Sequence, residues 1–218
     1  RRITAHFKLV ICKSNANKKR RDVVTGCGLN IIGTVLSPIG SAMAALSEEE
    51  RENGVALLDI GAGTTDVVIV KDRTVREVAC IPFAGGSITG DIKSTATITT
   101  EMAELVKIKY GRCINEGIPE GKKLVIKGSG GSGDKEIALD LLQQIVEARV
   151  SEILDAVWYI IEEAGYMGRI PSGIVITGGT AYLDYIRELA RSLTGCKVRL
   201  ANAQGNISDS SVESSFNT

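Results

Sequence analysis

One histidine, His6, serves the whole chain of 218 residues, so a serine–histidine triad or a histidine-bound zinc centre has almost nothing to draw on. His6 itself sits in an alternating apolar–polar stretch and reads as a strand surface residue. Net charge is absent as well: 26 Lys and Arg balance 26 Asp and Glu. That removes the global positive field by which nucleic-acid binders release phosphate counterions, and no nucleic-acid partner is expected. Five cysteines at 12, 27, 80, 113 and 196 are odd in number and never spaced C-x-x-C. A disulfide framework or zinc cluster is excluded on spacing, and a reducing compartment fits better. No apolar run approaches the ~20 residues that a membrane-spanning helix needs.

What is present is ordinary globular material, 44% hydrophobic and 24% charged, long enough for one large domain or two small ones. The chain opens on Arg1-Arg2 without an initiator methionine or signal peptide and stops at Thr218 without an evident cap. It is expected to be a piece of a longer protein.

Alternation over residues 3–12 (ITAHFKLVIC) predicts a strand. Ser14 or Asn15 caps a helix to about Thr25, stopped by Gly26 and Gly28. Residues 29–36 (LNIIGTVL) predict another strand, and Pro38 starts a short small-residue helix. The acidic run Glu48-Glu49-Glu50 reads as a solvated helix end or loop. After Gly54 three strands follow with short turns, an antiparallel meander. Helical period returns near Thr99, and residues 127–133 (KGSGGSG) form a flexible loop by composition. The strongest helix spans residues 137–164, with Gly165 behind it. The apolar run 173–177 (GIVIT) is a strand buried on both faces. A helix over residues 182–193 and a last strand, KVRLA, complete the pattern.

Chemistry concentrates in residues 59–66, DIGAGTTD. A P-loop needs Gly-Lys-Ser/Thr and a dinucleotide fingerprint needs a helix after its glycines, but Val67-Val68-Ile69-Val70 is strand-like. What remains is strand, glycine turn, strand. Gly61 and Gly63 are expected to take positive φ and bring backbone N–H groups to phosphate oxygens. Thr64 and Thr65 add hydroxyls, and Asp59 is placed to hold a magnesium-bound water. A second constellation, Thr177-Gly178-Gly179-Thr180, ends a buried strand and leaves room for a flat ring against backbone. Third, Glu104 and Lys107 share a helix face. On those two residues alone an exposed ion pair is favoured over a pair that hydrogen-bonds ribose hydroxyls.

The order of these features says more than any one of them. A phosphate hairpin, Ala84-Gly85-Gly86, a Glu104/Lys107 helix and then strand-Gly-Gly look like the second half of the actin, DnaK-type chaperone and sugar-kinase superfamily. The segments LSPIGSAMAAL, EEERENGVALLDIGAGTTDVVIV, IPFAGGSITGDI, AELVKIKYG and SGIVITGGTAYL together resemble the bacterial FtsA cell-division family, over about residues 1–201.

That resemblance implies an α/β, actin-like (ribonuclease H-like) mixed sheet with flanking helices, plus a partial small α/β subdomain at the N-terminus. Residues 1–36 would be the remnant of an FtsA-specific subdomain, 37–96 with 170–218 a large subdomain, and 97–169 a small one. It implies ATP and Mg bound by Asp59 (through water), Gly61, Gly63, Thr64, Thr65, Gly85, Glu104, Lys107, Gly178, Gly179 and Thr180, with Tyr182 bordering the adenine. It further implies a self-polymer that links FtsZ and other division proteins to the inner face of the membrane at the division site, with the membrane helix absent from this chain. Three departures stand out. Ala62 replaces a usual glycine. Ser37-Pro38-Ile39 stands where relatives that hydrolyse ATP well carry a carboxylate or glutamine, so slow or absent hydrolysis is expected. The first phosphate motif is missing. A superfamily phosphotransferase or phosphatase, or a pilus-assembly ATP-binding adaptor, are the alternatives.

Overall fold

The computed structural model describes residues 3–4, 11, 14–117, 119, 121–127 and 133–201. The strand expected over residues 3–12 and the interior of the Gly/Ser loop lie largely outside that set.

At the centre stands β1 (Val55–Ile60), the sequence VALLDI. It pairs antiparallel with β2 (Thr65–Lys71), which pairs antiparallel with β3 (Thr74–Ile81). On its other side β1 runs parallel to β6 (Ile174–Thr177), and β6 runs parallel to β7 (Val198–Leu200). The sheet order is β3-β2-β1-β6-β7, a mixed sheet as expected. The meander is tight because Asp72 and Arg73 both take positive φ, 52° and 57°. That is the requirement of a two-residue turn matching strand twist.

Side-chain alternation along β1 feeds two cores. Ala56, Leu58 and Ile60 join the larger one with helices α4 (Gly85–Ala96), α6 (Leu139–Glu163) and α7 (Ile186–Thr194). Val55 and Leu57 join Val68, Val70 and Val175 on the other face, under Ala42 and Leu46 at α2 (Ser37–Ala45). A sheet covered on both faces needs near-continuous apolar strands, and β1, β2 and β6 supply them. Along α6, Leu142, Val146, Val150, Ile153, Leu154, Val157 and Ile161 are all buried, each worth roughly 1.5–3 kcal/mol of transfer free energy.

Several expectations change. Residues 29–36 form no strand: Leu29, Ile32 and Val35 are exposed, and among the described residues they pair with no strand. Helix α1 (Ser14–Gly26) forms as expected. Helix α4 was not foreseen, nor was the hairpin of β4 (Lys123–Ile126) and β5 (Lys135–Ala138). Ile137, buried in the larger core from β5, continues the apolar period of α6 and masks the strand. The helix expected over 182–193 is split into a 3-10 turn (Gly179–Tyr182) and α7. Tyr185, with φ 65°, breaks it. Asp184 O accepts from Cys113 N at 2.9 Å, which pins the break to the segment after α5 (Thr100–Tyr110).

The acidic run is more than a solvated end. In α3 (Glu48–Asn53) Ser47 and Glu50 form a reciprocal capping box. Glu50 also takes two hydrogen bonds from Arg199 on β7, both at 2.6 Å, while Arg199 Nη2 reaches Ala45 O at 2.7 Å. The Arg199 guanidinium holds the Glu50 carboxyl below its ordinary 4.5. Because the folded value is depressed, this stabilisation is complete above the unfolded value and is lost as pH falls through the folded one. Glu50→Gln is expected to cost about 1–2 kcal/mol at neutral pH. In thermal unfolding against pH, its deficit relative to wild type is expected to shrink as pH drops below 4.5.

Candidate functional site

The β1–β2 turn closes with Gly61 N donating to Thr64 O at 3.0 Å. Neither Gly61 nor Gly63 is among the residues with positive φ, so the reason given for these glycines is corrected. A Cβ on Gly61 would sit a tight 3.3 Å from Thr64 O, whereas one at Gly63 would meet nothing within 4 Å. The special conformation belongs to Gly178, with φ 92°.

Gly61 contributes chiefly through its carbonyl. That oxygen accepts from Gly85 N at 3.1 Å and from Thr180 Oγ1 at 2.8 Å. One residue on, Ala62 O accepts from Gly86 N at 2.7 Å. The turn and the start of α4 are thereby stitched together through backbone, and the 3-10 turn joins them through the Thr180 hydroxyl. The approach is close enough to require glycine. A Cβ on Gly85 would lie 2.3 Å from Thr180 Oγ1, one on Gly86 2.7 Å from Ala62 O, and one on Gly178 2.5 Å from Ile60 O.

A second network supports the first. Lys107 on α5 is buried, and its Nζ donates to Gly85 O (3.2 Å), Thr89 Oγ1 (3.0 Å) and Glu104 Oε2 (2.8 Å). An ammonium has three donors, so all are used. The exposed ion pair favoured from spacing is therefore corrected: Lys107 is 8% exposed and Glu104 43%. Burial raises the Glu104 carboxyl, but hydrogen bonds from Lys107 and Thr89 and the Lys107 charge outweigh it, leaving it below the usual range. Thr89 Oγ1 is in contact with the same Oε2, so Glu104 is anionic and still has its second oxygen to offer.

These residues frame a cleft of about 450 Å³, a usual size for a small-molecule site. Gly61 and Ala62 form one wall, Glu104, Lys107 and Ile108 another, and Gly179, Thr180, Tyr182 and Leu183 the third. Tyr182 is exposed and also borders a recess of about 230 Å³ behind Gly178 and Gly179. Asp59 stands half-buried at the end of β1, its Oδ2 accepting from Ser41 Oγ at 2.7 Å. Thr64 is exposed on the turn. Thr65 is corrected: it is fully buried, with its hydroxyl donating to Phe83 O at 3.0 Å. It clasps the hairpin and does not add a hydroxyl to its tip. Ser41, Thr89 and Gly86 were missed by sequence reasoning, since nothing in a serine, a threonine or one more glycine marks a contact across the fold.

Thiol chemistry is suppressed nearby. Cys80 faces Asp66 across the sheet, and a hydrogen bond to that carboxylate pushes its thiol up to about 11. Desolvation pushes Cys113 to about 12.

A family model described as "Cell division protein FtsA" matches residues 56–216, which takes in the hairpin, the α4 start, α5 and the Gly-Gly turn. The chain belongs to the FtsA cell-division family. FtsA of Pseudomonas aeruginosa is 35% identical over 199 residues, covering 91% of this chain and 48% of that protein. FtsA of Neisseria meningitidis is 30% identical, covering 95% and 51%. This FtsA-family chain thus spans about half the length of the curated relatives it matches. Among solved structures, MreB5 of Spiroplasma citri bound to ADP superposes with TM-score 0.73 at 19% identity, covering 95% of this chain and 68% of that one. The PilM-PilN type IV pilus biogenesis complex gives 0.63 at 16%, covering 91% and 53%. Such likenesses establish the fold, which is actin-like; family membership separates the chain from a pilus adaptor.

The glycine geometry gives a direct contrast. Gly178→Ala combines strain at positive φ with a backbone clash and is expected to cost at least about 2 kcal/mol. Gly63→Ala, in open space at ordinary φ, is expected to change stability by less than about 0.5 kcal/mol. Chemical denaturation of both variants measures the difference.

Proposed function

We propose that the cleft binds MgATP and that the intact protein uses it as a division scaffold. The observation that carries this reading is the Gly61 carbonyl. It ties the hairpin turn to the start of α4 and to Thr180, beside a small-molecule-sized cleft lined by Gly61, Ala62, Gly179 and Thr180. In this reading the Gly61–Thr64 turn and the Gly85 region meet the phosphates. Glu104 accepts from ribose hydroxyls, Lys107 stands at the ribose and adenine end, and Gly179, Tyr182 and Ile108 border the adenine.

Asp59 suits an indirect magnesium contact. It is one carboxylate at a strand end, and among the described residues no three His, Cys, Asp or Glu side chains gather to hold a metal. When bound, Mg2+ would offset phosphate charge; Asp59 would orient one of its waters. Turnover is slow or absent in this proposal. Helix α2, SPIGSAMAA, carries no ionisable group to activate water, and neither neighbouring thiol is ionised near neutral pH. Nucleotide then acts by holding domains in a polymer-competent arrangement, a population shift rather than a catalytic cycle. The subdomain division at residues 36, 96 and 169, the self-polymer, the link to FtsZ and the place at the inner membrane face belong to the same proposal. Among the described residues no helix is long and apolar enough to cross a membrane.

Calorimetry tests the reading. MgATP is expected to bind the full-length protein, and Asp59→Ala is expected to weaken it about ten-fold or more. Residues 1–218 alone are expected to bind far more weakly, since they grip phosphate from one side. Tight MgATP binding by these 218 residues, or none by the full-length protein, would contradict it.

A further inference from the structure

Helix α2 has only two polar side chains, Ser37 and Ser41, and one of them makes a contact that the proposed nucleotide chemistry has not used. Ser41 Oγ lies 2.7 Å from Asp59 Oδ2, the short distance of a hydroxyl donating to a carboxylate. On the opposite side the same carboxylate is backed by a glycine. A Cβ on Gly178 would come within 2.7 Å of Asp59 Oδ1, so Gly178 gives the carboxylate its space and Ser41 holds it there.

We infer that Ser41 is a positioning residue, which fixes the Asp59 carboxylate so that it can orient a magnesium-bound water; this rests on the MgATP reading above. The choice of group has a physical logic. A lysine or arginine at this place would neutralise Asp59 and weaken its hold on a cation-bound water. A hydroxyl orients the carboxylate and leaves its charge in place. A carboxylate oxygen has two acceptor sites, so Asp59 Oδ2 can keep the Ser41 bond while taking a second hydrogen from water. The helix is itself held down by neighbours of Ser41: Pro38 and Ala42 are buried, Ala42 against the sheet face that includes Val55, Leu57 and Val68. The backbone of Ser41 is therefore held over the end of β1, within reach of Asp59.

The test uses Ser41→Ala, which removes the donor, and Ser41→Thr, which keeps it, both in the full-length protein. ATP affinity is measured by calorimetry with Mg2+ and again in EDTA. Ser41→Ala is expected to lose about ten-fold in Mg2+, the usual scale for a group that supports a metal contact, and nothing in EDTA. Ser41→Thr is expected to stay near wild type in both. Equal losses in both buffers, or no loss in either, would overturn the inference. Should wild type bind no nucleotide, the MgATP reading fails by itself, and a crystal structure of Ser41→Ala decides the positioning claim. Asp59 turned away from Gly178 would support it; an unmoved Asp59 would overturn it.

Discussion

The Gly61 carbonyl is the joint on which the cleft depends. It takes one backbone hydrogen bond from Gly85 and one hydroxyl hydrogen bond from Thr180, so a single oxygen orders three segments far apart in the chain. Removing either donor would leave a shielded acceptor partly unmet, which costs more than the bond itself contributes. Gly85 and Gly86 leave no room for a Cβ, the first against the Thr180 hydroxyl and the second against the Ala62 carbonyl. The glycines at 85, 86 and 178 are therefore explained by approach distance, and Gly178 by conformation as well. Lys107 extends this arrangement outward: an ammonium that satisfies Gly85 O, Thr89 and Glu104 together joins α4 to α5 and keeps Glu104 charged.

The hairpin was legible in the sequence because its turn residues stand between two unmistakable β-branched runs. The meander followed from it, GIVIT read as doubly buried, and the mixed sheet that joins them was implied by the family resemblance. Helix α4 was not legible. Gly85, Gly86 and Gly90 depress helix propensity, and the first two are there for contacts that only the folded chain reveals. Hairpin β4–β5 was hidden because Ile137 points into the same core as α6 and extends its apparent period. Residues 29–36 failed in the opposite sense, an apolar run that pairs with no strand among the described residues.

The site divides in the same way. Spacing singled out Asp59 and the Gly178–Thr180 turn, the family resemblance added Glu104, and the structure changes the part that several neighbouring residues play. Thr65 is a buried clasp, Lys107 is wholly engaged by protein acceptors, and Gly63 is free of steric demand. Burial and partner choice decide such roles, and neither is a property of local sequence. In the proposed reading the cleft serves binding more than turnover, with the Asp59 carboxylate beneath helix α2 and the Cys80 and Cys113 thiols pushed up.

Amide hydrogen exchange tests the central claim, that the carbonyls of Gly61 and Ala62 hold the hairpin turn to the start of α4. In the nucleotide-free chain the Gly85 and Gly86 amides, bonded to Gly61 O and Ala62 O, are expected to be protected as strongly as amides in β1. Exchange at the rate of an open surface loop at both glycines would contradict the account.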